Sequence, residues 1–112
     1  MKHLCHALKC ATPVPPRLLM CNRHWHLLPK PARDLIWHYY EDGQEHRKDP
    51  SAAYLLAQSC AVTIVALRER VLSPITARKH IVSCLACYNG SAEDQDNILA
   101  GMQIDELLDE AW

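Results

Sequence analysis

The sequence predicts a mainly α-helical protein in which a small N-terminal zinc-stabilised loop module is followed by three to four helices. Three observations lead there. Apolar residues make up 49% of the chain but aromatics only 6%, with no Phe, so a core must be assembled from Leu, Ile, Val and Ala, which favours helices over a sheet sandwich. Helix-start signals built on proline recur at Leu28-Pro29-Lys30-Pro31, Asp49-Pro50 and Ser73-Pro74. Three of the six cysteines and four of the seven histidines crowd into the first 26 residues. With 112 residues the chain is sized for one domain, and chains of that length bury only about two thirds of their unfolded surface. A metal or an oligomeric interface would supplement such a core.

Residues 1–28 show no sustained helical or strand period, and the prolines Pro13, Pro15 and Pro16 interrupt them. A first helix is expected over 30–41, with Leu35, Ile36, Tyr39 and Tyr40 on its apolar face and Asp42-Gly43 closing it. Asp49 as N-cap and Pro50 at the first helical position predict a second helix, from Ser51 to about Val71. In it Leu56, Cys60, Ile64 and Leu67 repeat at helical spacing, and Ala53, Ala57 and Ala61 allow a partner helix to approach closely. Residues 52–67 carry no charge but fall short of the ~20 needed to span a bilayer, so they read as a buried amphipathic helix. Ser73 caps a third helix over 74–88, ended by Asn89-Gly90. The acidic stretch beyond is expected to stay polar up to Ile98 and to close with a short helix using Ile104, Leu107, Leu108 and Trp112. Residues 1–48, 49–90 and 91–112 are thus a knuckle with the first helix, a helical hairpin and an acidic segment, all within one compact domain.

Cys5-x4-Cys10 followed by Cys21-x2-His24 is the strongest chemical signal. A structural zinc site takes four thiolate or imidazole ligands at tetrahedral corners, supplied as two short pairs across a loop. Both pair spacings suit that pattern, and the intervening prolines lower the entropy lost on closing the loop. Cys5, Cys10, Cys21 and His24 are therefore the expected ligands of a closed, non-catalytic Zn2+ site. His6 and His26 stand as alternatives for the fourth position. His80, Cys84 and Cys87, at i, i+4 and i+7, make a weaker second constellation that Cys60 could join, although cysteines among Ile81, Val82 and Leu85 are more often core fillers.

No phosphate-binding glycine loop or nucleophile elbow occurs, and no cysteine is paired with an obvious activating base, so an enzyme is not expected. Met1-Lys2-His3-Leu4 lacks the apolar run of a secretory signal, which points to a cytosolic protein with reduced thiols. Charge is divided: up to Pro50 there are eight basic residues against five acids, and beyond it four against eight, all but one of those acids lying after Gly90. A basic front and an acidic tail suit two partners, or each other.

Cys5…Cys10…Cys21-Asn22-Arg23-His24-Trp25, followed by Leu28-Pro29-Lys30, Arg33-Asp34, Ile36-Trp37, Tyr40 and Gly43-Gln44-Glu45, resembles a group of small, largely uncharacterised proteins of tailed bacteriophages and prophages. The resemblance covers about the first 45 residues and departs at Pro31-Ala32, where a leucine usually precedes Arg-Asp. It implies a zinc-stabilised module, a phage accessory role and the host cell cytoplasm. Two functions compete. One is binding a bacterial host protein, for host modulation or counter-defence, with the acidic tail as a mimic of nucleic-acid charge. The other is nucleic-acid binding or transcription regulation by the basic half, with Arg17, Arg23, Lys30, Arg33, Arg47 and Lys48 on phosphates and Trp25 or His26 on a base. A net +3 over 50 residues is a thin footprint for the second. A homodimer through the Ala face is compatible with either.

Overall fold

The computed structural model describes residues 3–106 and is mainly helical. The elements are α1 (Asn22–Trp25), α2 (Lys30–Tyr39), α3 (Gln44–Arg47), α4 (Ala52–Arg68), α5 (Pro74–Cys87) and α6 (Ala92–Met102). Helix α4 is the hub, packed against α2, α5 and α6, while α2 also meets α6. Ten of its positions are buried, which explains an uncharged stretch without invoking lipid: a helix walled in by three others is apolar nearly all round. Among the described residues no helix is long and apolar enough to cross a membrane. Ala57 and Ala61 are fully buried and Ala53 nearly so, so the close approach that the small side chains permit is made inside the chain. A second close approach joins α2 to α6, where a Cβ on Gly101 would overlap Leu35 Cδ1.

The N-terminal segment is pinned by backbone bonds in place of regular structure. Leu4 and Pro13 form an isolated antiparallel bridge, Cys5 N–H donates to Thr12 O at 2.8 Å, and His6 N–H donates to Leu19 O at 2.9 Å. Lys9 takes a left-handed conformation (φ 64°), which turns the chain so that Cys10 N–H reaches Ala7 O at 3.1 Å.

Four helix boundaries differ from expectation. Helix α2 stops at Tyr39, and Gly43, in place of closing it, adopts φ 82° at the head of the separate turn α3. Tyr40 is drawn out of the helix into extended backbone, with its hydroxyl donating to the Glu45 carboxylate at 2.7 Å. The N-cap of α4 is Ser51, whose Oγ accepts from Tyr54 N–H at 3.1 Å; Asp49 instead pairs with Arg47 Nε at 3.1 Å. The C-terminus of α4 lies at Arg68, short of Val71, because Arg70 is left-handed (φ 59°). Arg70 N–H then bonds Leu67 O at 3.1 Å and Val71 N–H bonds Ala66 O at 2.8 Å, the two bonds of a Schellman ending. The acidic stretch is helical from Ala92, capped by Ser91 Oγ accepting from Asp94 N–H at 3.1 Å, and buries Ile98 and Met102. Ile104 is also buried, whereas Leu107, Leu108 and Trp112 lie outside the described residues.

Helix α5 starts where the sequence places it, with Ser73 Oγ accepting from Thr76 N–H at 3.2 Å. Ser73→Ala removes that acceptor from a helix with no acid in its first turn, so chemical denaturation should show a loss of about 1 kcal/mol.

Candidate metal centre

Cys21 is the N-cap of α1 and His24 its third residue, so the Cys-x2-His spacing becomes one helical turn with both side chains on the same side. Trp25 N–H bonds Cys21 O at 2.9 Å and closes that turn. The Leu4–Pro13 bridge and the Lys9 turn bring Cys5 and Cys10 against it. The donor atoms of Cys5, Cys10, Cys21 and His24 all lie within 4.8 Å of one another. His24 Nδ1 is 3.6 Å from Cys5 Sγ and 3.2 Å from Cys21 Sγ. A tetrahedron with zinc-like bond lengths has sulfur–nitrogen edges of about 3.6 Å and sulfur–sulfur edges of about 3.8 Å. The cluster is therefore compatible with a metal ion, and four side-chain donors fill a tetrahedron without a water. Cys5 and His24 are buried, Cys10 and Cys21 half-buried, as expected for a knuckle with one side against the core.

The imidazole is held from its far side by a residue that the spacing of the motif does not reveal. Glu69 Oε1 is 2.6 Å from His24 Nε2, and Glu69 Oε2 accepts from Arg23 Nη1 at 2.8 Å. Arg23 Nη2 also approaches His24 Nε2, at 2.8 Å, but the carboxylate oxygen is the closer of the two and favours the proton on Nε2, which leaves the Nδ1 lone pair facing the sulfurs. This is the outer arrangement that orients histidine ligands of metals. Glu69 is the C-cap of α4, so the end of the central helix presents its carboxylate to the knuckle. The Arg23 hydrogen bond, followed by the bond with His24, holds the Glu69 carboxyl below its ordinary range.

The thiols are set unequally. Burial pushes Cys5 up to about 11, whereas hydrogen bonding with Thr12 brings Cys10 down to about 6. Cys10 thus offers a thiolate at neutral pH, while Cys5 gives up its proton when a cation arrives. Metal binding then releases protons, and affinity should rise with pH.

The alternative fourth ligands are occupied elsewhere. His26 is exposed, with Nδ1 2.9 Å from Asn22 O, and His6 turns toward His3 and Gln58. The second constellation does not assemble. His80 Nε2 and Cys84 Sγ are 3.8 Å apart, but Cys87 is exposed and Cys60 is fully buried, its thiol raised to about 12 by desolvation. Among the described residues, the four N-terminal side chains are the one group of three or more such donors brought together. Glu69 had a faint sequence signal, being the single acid between Pro50 and Gly90. Comparison with family models, with curated proteins and with solved structures returned no match.

Glu69→Ala should weaken metal binding roughly tenfold to a hundredfold in a chelator competition while leaving one metal per chain. Glu69→Gln, which keeps an acceptor, should lose less. Equal affinity in all three proteins would show that Glu69 does not orient the ligand.

Proposed function

We propose that the chain is a zinc-stabilised, non-catalytic accessory protein of phage type that acts in the host cytoplasm by binding a bacterial host protein, for host modulation or counter-defence. The observation that carries the zinc assignment is the closed Cys5, Cys10, Cys21 and His24 cluster with a carboxylate behind its imidazole. Three sulfurs and one nitrogen suit zinc, and hard cations such as Mg2+ or Ca2+ would want oxygens. A filled tetrahedron leaves the ion nothing to activate, so its contribution is folding energy, about 10 to 16 kcal/mol in comparable small sites. That is enough to hold an N-terminal segment whose own buried apolar residues before α1 are Cys5, Ala7, Leu19 and Met20.

Support for a protein partner comes from the exposed apolar side chains around the α4–α5 hairpin. Leu55, Ile75 and Val82 are about half exposed, and Leu55 borders an open groove with His80, Cys84, Cys87 and Tyr88. The resemblance of the first 45 residues to phage proteins supplies the setting. A second reading, nucleic-acid binding, is favoured by one feature. Trp25, Trp37 and Tyr40 stand edge to face, with ring centroids 6.3 and 5.4 Å apart, along a cleft that Arg17 also lines. A base against an indole and a phosphate on Arg17 would fit single-stranded nucleic acid.

Purified protein should contain one zinc per chain, and Cys5→Ser and Cys21→Ser should lose both the zinc and most of the thermal stability. A metal-free wild type, or variants with unchanged melting, would remove the zinc assignment. For the function, the wild type and Val82→Asp are compared in a pull-down from bacterial lysate, alongside mobility shifts over a salt series. One stoichiometric host protein lost in Val82→Asp supports the first reading. Salt-dependent retardation of single strands that Trp37→Ala weakens supports the second.

A further inference from the structure

Beside the four-residue cluster, and chemically separate from it, a half-buried and an exposed histidine face each other. His3 and His6 have ring centroids 5.2 Å apart, tilted by 47°, and their Nε2 atoms are 3.2 Å apart. We propose that His3 and His6 form a second, labile site for a divalent transition metal such as Zn2+, bound through both Nε2 atoms with water completing the coordination. Two imidazole nitrogens on a tetrahedral ion at bond lengths of about 2.0 to 2.1 Å are about 3.3 Å apart, so the pair already holds the bite the ion needs.

The opposite nitrogen of each ring is held by the fold. His3 Nδ1 is 3.2 Å from Val14 O, an acceptor, so Nδ1 carries the proton and Nε2 offers a lone pair. His6 Nδ1 is 3.3 Å from the side-chain amide of Gln58 on α4. A carboxamide is both donor and acceptor, so Gln58 serves either tautomer of His6. Without metal, the Gln58 amide donates to Nδ1, and His6 Nε2–H donates to His3. With metal, Gln58 turns its oxygen inward and accepts from Nδ1–H, which frees the second Nε2 lone pair. His6 stays neutral throughout, and its proton only changes nitrogen. Gln58 and Glu69 are 11 residues apart, about three helical turns, so they share one face of α4. That face thus supplies the outer partner for His6 and for His24. A shallow cleft bordered by His3, His6, Glu45, Lys48 and Gln58, about 150 Å3 in volume, leaves room for bound water.

The test uses the full chain, dialysed to constant metal content and titrated with Zn2+ while long-range proton–nitrogen spectra follow each imidazole. His3 and His6 should shift together, saturating at one added equivalent, before the exposed His26 and His46 respond; the metal retained through dialysis reports separately on the cysteine centre. His3→Ala should return His6 to the behaviour of those exposed rings, and His6→Ala should do the same to His3. Gln58→Leu, which keeps both ligands, should weaken the added equivalent by about tenfold or more. Shifts of His3 and His6 no earlier than those of His26 and His46, or a saturable equivalent that persists in His3→Ala, would overturn the site.

Discussion

The contact between His24 and Glu69 is the point on which the two parts of the molecule depend. On one side is a segment with few buried apolar residues, whose shape comes from a bridge, a left-handed turn and four converging Cys and His side chains. On the other is a helical body organised by α4. Glu69 joins them across 45 residues of sequence, gripping the imidazole with one oxygen and the Arg23 guanidinium with the other. A carboxylate fixed to the end of the central helix, with Gln58 at His6 and with Leu19 and Met20 in the shared core, restricts how the segment can move on the body.

The residue that makes the grip stands at the very end of α4. One more helical turn would carry the chain beyond residue 69 on along the axis, where the reversal at Arg70 instead turns it back. The chain stops the helix with Arg70 in the left-handed region, where glycine would carry no penalty and an L side chain is disfavoured. Lys9, Lys48 and Gln103 adopt the same conformation at other reversals, so this chain, with three glycines in all, turns largely on residues that carry side chains. The surrounding hydrogen bonds must hold each of them there, as Ala66 O and Leu67 O do for Arg70.

That substitution explains what was legible in the sequence. The convergence of Cys5, Cys10, Cys21 and His24 could be read because their spacing encodes one turn of helix and one tight loop, both local. The Ser73-Pro74 start was legible for the same reason. The ends of α2 and α4 were not, because the residue that ends a helix here is not the one composition points to. Gly43 looked like a terminator and instead begins α3, while Arg70 looked helical and is the stop. Asp49 looked like a cap, but Arg47 takes its carboxylate and Ser51 does the capping. For Tyr40 and Asp49 a side-chain partner, absent from any propensity, goes with the outcome, and for Arg70 a pair of backbone bonds does. Glu69 was the least legible of the site residues, since its role comes from tertiary packing alone.

Charge follows a similar logic. The division into a basic front and an acidic rear suggested two surfaces with different partners or two that meet each other, and in part they meet. Arg23 on the front pairs with Glu69 on the core helix, and Tyr39 on α2 donates to Asp94 of α6 at 3.1 Å. Yet Glu69 is the acid that stands apart from the acidic tail, and the tail's Asp94 meets a phenol and not a cation. These contacts between front and rear are thus made by single residues at positions that packing selects. The remaining tail acids on α6 lie toward solvent around Glu93 and Asp96. Their charge therefore falls on the outer face of the one helix that the acidic composition concealed, available to a partner and irrelevant to the metal centre.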